Sequence, residues 1–482
     1  MAFGGSYNVT DPPQRGGVFI NVEVAALPKT RDVSRGVAAV VVKADWGPDN
    51  SIVEIGTESQ ALATYGSTST AHFTITQALE GEGTAERNGA STVLAYRAVG
   101  SAGAKAAITL NNTTPAAALT LTAAYKGTRG NNLRVTVRET PGDATKNDIL
   151  ILEGTTLRET FTDTKANIAG FAASINARSQ FVDAAVLIDG VALAVVTNQA
   201  LTGGNSGTSL VAGDHTAAMD AFEAYGGFDT FAVDDLPDDT GAIRTAYVEW
   251  TKRLNSEGKL FHMVIGGPTS ETSAAAITRA TALASEYVVA IHGDVTVDGL
   301  PYNSARMAAR IAGIISAAAQ YRSISGARLE GVQLASPPSV TEVESMVRGG
   351  VVPIVNDSGI VRLQRGKTTY QATSATDPNK GKFDSLLFMR RLHHTFRRFD
   401  LLVQERIIGQ PISNTPSGRD SILAMFRGEL KALEEADVTV PGATVVYDPA
   451  QDNTGETLYI LFSYKPAPGI EQILGRVSIP AA

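Results

Sequence analysis

Two short stretches carry the residue types of a phosphate-binding loop. In YKGTRGNNLRVTV (Tyr125–Val137), Gly127 and Gly130 bracket a turn bearing Lys126 and Arg129, and in GIVRLQRGKT (Gly359–Thr368) the run Gly366-Lys367-Thr368 matches the end of a Walker loop. That loop works because glycine amides and a lysine wrap phosphates between a strand and a helix, at the fixed spacing G-x-x-x-x-G-K-[ST]. The first stretch leads instead into a β-like run, NLRVTV, so a turn that opens a strand accounts for its glycines. In the second, Gly359 stands two residues too far from Gly366 and no helix follows directly.

Acids and histidines fare no better. Asp234, Asp235, Asp238 and Asp239 follow a strand-like run, where magnesium-dependent enzymes place carboxylates. They equally suit the start of a helix near Gly241, with Asp239 or Thr240 as its cap. The six histidines (His72, His215, His262, His292, His393, His394) form no H-x-x-x-H pair on a helix and no HExxH. Asp448 with Asp452 lacks the middle acid and the glycine of an EF-hand loop. There is no G-x-S-x-G. The chain has no cysteine, which excludes disulfides, thiolate metal sites and cysteine nucleophiles. No cofactor is expected; an α/β enzyme with an unrecognised nucleotide or magnesium site stays open as an alternative.

One charged pattern is one-sided. In the amphipathic stretch at about Phe383–Glu405, Met389, Leu392, Phe396, Phe399 and Val403 make an apolar stripe, and Arg390, Arg391, His394, Arg397 and Arg398 fall on the opposite side at about 100° per residue. Such a face is either solvated or an electrostatic contact with an acidic partner.

The elements that position these residues are legible from periodicity. With 482 residues and a soft prior of about 100–200 residues per domain, three or four domains are expected. A net charge of -8 argues against a general nucleic-acid or anionic-membrane binder. The first residues lack a signal-peptide layout, and the uncharged runs Ala106–Tyr125 and Gly190–Gly213 are broken by Asn, Thr, Pro or Gly, so neither membrane insertion nor classical export is expected. From Gly36, strand-like GVAAVVV, helical Glu58–Tyr65 and Ala71–Leu79, and strand-like STVLAYRAV alternate, which predicts a mainly parallel, helix-covered sheet. The pattern stops at about Ser101 and resumes near Thr216 with DTFAVDD, helix Gly241–Glu257, KLFHMVIGG and YVVAIHG. Between lie short β runs with one helical patch near Thr164–Ser179. The fold class is therefore α/β with a β-rich inserted domain. Expected units are an arm at 1–24, a discontinuous α/β domain at 25–100 and 213–350, the insert at 101–212, an α+β C-terminal domain at 351–465, and a second arm at 466–482. Thr341 with Glu344 predicts a capping box, and a further helix is expected at about Arg419–Ala436.

In this order the pieces resemble the sheath protein of contractile phage tails and related contractile injection systems. RGGVFINVEV (Arg15–Val24) is similar to the family's N-terminal PGVYV opening, with Gly16 in place of Pro. YKGTRGNNLRVTV and AASINARSQFVDA (Ala172–Ala184) resemble parts of its inserted domain. AARIAGIISAAAQYRSI (Ala308–Ile324) resembles its central Ala/Gly helix, and GVVPIV (Gly350–Val355) through Arg365–Thr369 resembles the entry to its C-terminal domain. The resemblance implies a non-enzymatic subunit of hexameric rings stacked around an inner tube protein, with baseplate and tail terminator proteins as further partners and no direct nucleic acid. It places the chain in a virion tail, or a phage-like device, assembled in the bacterial host cytoplasm. It also implies terminal arms that add strands to neighbours' sheets, here Val18, Phe19, Ile20, Val22 and Val24 and, in the tail, Ile470, Ile473, Leu474, Val477 and Ile479. Flexible joints at Gly4-Gly5, Gly16-Gly17 and Pro466–Gly469 would let connected subunits move. Arg390, Arg391, His394, Arg397 and Arg398 are the expected tube contact, with a sheath–sheath contact as the alternative use. Another virion or surface-layer shell protein is the remaining rival reading.

Overall fold

The computed structural model describes residues 36–67, 70–83, 88–234, 236, 241–451, 453 and 458–469. The first strand, β1 (Val37–Val42), is apolar throughout because both faces of its sheet are covered. It is followed by β2 (Ile52–Ile55), α1 (Glu58–Tyr65), α2 (Thr70–Glu80) and β3 (Thr92–Arg97). The chain then leaves this sheet for β4 (Lys105–Asn111), β5 (Ala117–Lys126), a 3-10 turn at Thr128–Asn132, β6 (Leu133–Thr140), β7 (Asp143–Glu153), β8 (Thr156–Thr164), α3 (Ile168–Arg178), β9 (Val182–Val186) and β10 (Val196–Ala200). It returns through α4 (Ala212–Tyr225), β11 (Thr230–Val233), α5 (Ala242–Ser256), β12 (His262–Ile265), α6 (Ser273–Leu283) and β13 (Val288–His292). Next come β14 (Val295–Val297), β15 (Leu300–Tyr302), α7 (Ser304–Ala317), β16 (Val332–Leu334), α8 (Val340–Arg348), β17 (Val351–Asp357) and β18 (Ile360–Leu363). The C-terminal elements are α9 (Leu386–Arg406), α10 (Pro416–Glu435), β19 (Thr444–Tyr447) and β20 (Ile460–Ser463).

The large sheet has eight strands in the order β18-β17-β13-β12-β11-β1-β3-β2. Its interior pairs are parallel, and β2 and β18 close the edges in antiparallel register. Side chains alternate between two cores, as the pleat requires. Ala38, Val40 and Val42 join α1, α2 and α7 on one face. Ala39 and Val41 join α4, α5 and α6 on the other. The Ala/Gly content of α7 serves close approach to α2: a Cβ at Gly313 would stand 2.0 Å from the Ala78 carbonyl oxygen. Arg310 of the same helix is fully buried and donates to the Gly81 carbonyl at 2.6 Å, Gln77 Oε1 at 2.8 Å and the Glu330 carbonyl at 2.8 Å.

The insert is a β-sandwich. Sheets β10-β6-β7-β8 and β4-β5-β9 share one core with α3, built on Leu121, Val135, Ile149 and Phe171. At the C-terminal end, α9, α10 and the β19–β20 pair surround a separate core in which Phe462 stacks on Phe399 at 4.7 Å and meets Phe426 at 5.0 Å.

Three local expectations are corrected. The capping box of α8 is Ser339 with Glu342, not Thr341 with Glu344. Helix α5 starts after Gly241, which is left-handed at φ 72 and supplies no side-chain cap; Thr240 and Asp239 lie outside the described residues. Helix α10 starts at Pro416, earlier than expected, because Thr415 caps it and a proline suits the first turn.

Candidate functional site

Both loops with phosphate-like sequences spend their charged side chains on contacts within the chain. Gly127 has φ 141, and a Cβ there would meet the Asp45 carbonyl oxygen at 1.8 Å, so only glycine allows the insert to sit this close to the α/β domain. The Arg129 amide donates to that same carbonyl at 3.3 Å, its guanidinium pairs with Glu153 at 2.7 Å and lies 5.2 Å from the Trp46 ring centroid, and Lys126 pairs with Asp49 at 3.0 Å. The second loop follows the β17–β18 hairpin. Lys367 pairs with Asp384, and Thr368 donates to the Phe383 carbonyl at 2.6 Å. Lys367 sits beside the start of α9, but its ammonium is taken up by Asp384, next to the helix N-cap Ser385.

Asp234 is buried at the end of β11, its amide donating to the Val41 carbonyl at 2.8 Å; Asp235, Asp238 and Asp239 lie outside the described residues. Among the described residues, no three His, Asp or Glu side chains are gathered as a metal would need. His262 and His393 do meet, edge to face at 4.4 Å, but in a buried setting. Burial, then Arg390 and Arg397, lowers His262 to about 3, and burial followed by His262 and Arg397 holds His393 well below its ordinary value. Neutral imidazoles packed ring to ring are a structural pair. No helix of the described residues is long and apolar enough to cross a membrane.

The basic face of α9 points into the molecule. Arg390 is buried and donates to the carbonyls of Ala318, Ala319 and Arg322, the last at 2.9 Å. Arg391, also buried, donates to Gln320 at 3.2 Å, Tyr321 at 3.1 Å and to the Ala467 carbonyl. Ala318 is the C-cap of α7, so two cations sit at the negative end of that helix and satisfy carbonyls the helix leaves open. Arg397 pairs with Asp229 and donates to the Phe228 carbonyl at 3.1 Å and to Leu260, while Arg398 pairs with Glu429 of α10. His394 lines the cleft shared by Asp229, His262, Arg390 and Arg397. The side chains expected to face a tube thus hold the helix to its own chain. The expected apolar stripe is split too: Met389 and Phe399 are buried, whereas Phe396 is 45% exposed. A helical wheel gives the sides of a helix, not what covers each side, and here both are covered over the first turns.

The residues expected to exchange between subunits, Val18, Phe19, Ile20, Val22, Val24, Ile470, Ile473, Leu474, Val477 and Ile479, lie outside the described residues. What stands next to them in the fold is informative. β19 and β20 form a two-stranded sheet with no further strand on either edge among the described residues. Val445 and Phe462 point into the C-terminal core, and their neighbours Val446 and Leu461, paired across the strands, are 47% and 48% exposed. This surface was missed from sequence; the alternating runs TVVY and ILFS were its signal. The expected joint at Pro466–Gly469 is partly fixed. Pro466 is buried, and the Ala467 amide donates to the Val438 carbonyl at 3.0 Å.

Three family models match the chain in almost unbroken succession: the N-terminal region of domain III of tail sheath protein Gp18 at residues 35–98, the phage tail sheath protein β-sandwich domain at 100–208, and the phage tail sheath protein central domain at 209–369. The chain belongs to the phage tail sheath family. It is accordingly a structural protein and not an enzyme. Its fold is similar to that of the sheath tail protein from Desulfitobacterium hafniense, with TM-score 0.72 and 20% identity over 93% of this chain and 100% of that one. The sheath tail protein from Listeria innocua matches at TM-score 0.64 and 19% identity, over 91% and 96% of the two chains. The helical sheath of the anti-feeding prophage in its contracted state matches at 0.54 and 11%, over 96% and 98%. No curated protein matches the chain. In this sheath-family chain the β-sandwich is the insert that interrupts the large sheet after β3.

Proposed function

We propose that this chain assembles as hexameric rings stacked around an inner tube, and that the lattice contracts to drive the tube through a target cell envelope. Its place is the tail of a phage or the particle of a phage-like injection device, assembled in the bacterial cytoplasm and triggered from a baseplate. No bond chemistry is required of the subunit: the work comes from exchanging one set of inter-subunit contacts for a more favourable one.

The observation that carries this reading is the β19–β20 pair. A two-stranded sheet is marginal alone, and its unpaired edges are templates for another chain's strand. Here it also presents Val446 and Leu461 to solvent. Segments rich in β-branched residues, Val18–Val24 and Ile470–Ile479, supply strands of the right chemistry from neighbouring copies. Burying the outer face on assembly would remove apolar surface from water at roughly 25 cal/mol per Å².

Replacing Val446 and Leu461 by lysine tests this. Both side chains are half exposed in the subunit, so its melting temperature is expected to change little, whereas tube formation should be lost. Tubes of normal yield and length from the double variant would remove the strand-acceptor role.

A further inference from the structure

The two places where the terminal segments join the folded body are tied to one helix. At the N-terminal root, the Gly36 amide donates to the Ser316 carbonyl at 3.1 Å, and the Val37 amide donates to Asp229 Oδ2 at 3.1 Å. The other oxygen of that carboxylate accepts from Arg397 of α9, which also grips the carbonyls of Phe228 and Leu260. At the C-terminal root, Arg391 of α9 donates to the Ala467 carbonyl. The same guanidinium holds Gln320 and Tyr321, just past the end of α7, and Ser316 in the last turn of α7 receives Gly36.

We propose that α9 is a tension strut: a pull on one terminal arm reaches the other through Arg391, the helix and Arg397, and enters the large sheet only at its Val37–Asp229 edge instead of running along its strands. This rests on the reading that the arms join subunits. Three features support it. Hydrogen bonds from a guanidinium are roughly twice as strong as neutral ones. A helix is stiff along its axis, since its length is set by a continuous ladder of backbone bonds. The alternative path from Gly36 runs along β1 into the middle of the eight-stranded sheet, where strain would disturb both cores. The strut lets a lattice be pulled while the α/β body keeps its shape, with Arg391 and Arg397 as positioning residues for the arm roots.

The test uses tubes assembled from the full chain and subjected to controlled shear. Links in series fail at the weakest one. Arg391→Gln and Arg397→Gln are each expected to speed fragmentation by roughly tenfold or more, since each loses three guanidinium hydrogen bonds, and the double variant to break no faster than the weaker single. Arg253→Gln, which removes the exposed pairs that Arg253 of α5 makes with Glu223 of α4 and with Glu257, should change nothing. Multiplying effects in the double variant would show two independent paths and overturn the strut, as would single variants that fragment like the parent. Should Arg391→Gln fail to fold, Arg391→Lys replaces it, because an ammonium keeps the charge but lacks the planar fork that holds the carbonyls of Ala467, Gln320 and Tyr321 together. Fragmentation at the parent rate in that variant would also overturn the proposal. Absence of tubes from the parent chain, with or without an inner tube, would overturn the sheath reading itself and this inference with it.

Discussion

At the scale of single residues, the His262–His393 contact makes the fold acid-sensitive in a defined window. Both imidazoles titrate below the usual value of about 6.5, His262 at about 3. The unfolded chain therefore binds more protons than the folded one between these limits. The stability contributed by the neutral pair is fully present above about pH 6.5 and is lost as pH falls toward 3. Between pH 7 and pH 4.5 His262 alone loses on the order of 2–3 kcal/mol, and His393 shifts stability in the same direction. Calorimetry at the two pH values should show a clear drop in melting temperature for the parent, and a smaller drop for His393→Phe. An equal drop in both would contradict the role given to His393. Nothing in the sequence joined these two residues, because His262 opens a strand and His393 lies on a helix more than a hundred positions away; only tertiary packing places them in contact.

Among elements, α7 shows what was readable and what was not. Its alanines and Gly313 signalled a backbone close to a neighbour, and the neighbour is α2. Gly313→Ala would push a methyl group into the Ala78 carbonyl, with no flexible side chain to give way. A loss of about 1–3 kcal/mol is expected, as for other overpacked cores, and chemical denaturation measures it; an unchanged midpoint would show that α2 can move aside. The start of α8 was misplaced for a local reason: Ser339-x-x-Glu342 and Thr341-x-x-Glu344 both fit the capping pattern, and the chain takes the first of them. The basic face of α9 is divided between two neighbours, with Arg398 on α10 and Arg390, Arg391 and Arg397 on the α/β body, and that use was not legible. Carbonyls at the end of α7 and beside β11 and β12 attract guanidiniums as well as an acidic partner does, and backbone acceptors leave no trace in residue type.

At the scale of the whole molecule, the alternation of strands and helices before Ser101 and after Thr216 already showed a sheet interrupted by a β-rich insert, because a parallel sheet needs a covering helix between strands and the intervening Thr-rich segment has almost none. The glycine at position 127 explains how the insert docks without being part of either core. The C-terminal domain was harder to read: its two strands are only four residues each, and among the described residues they leave Val446 and Leu461 exposed on one face. The proposed assembly uses that open face. Negative-stain electron microscopy of the purified full chain, beside a version lacking residues 1–24, tests it most directly. Hollow six-fold tubes are expected from the full chain and none from the truncated one. Stable monomers from both, unchanged when inner tube is added, would contradict it.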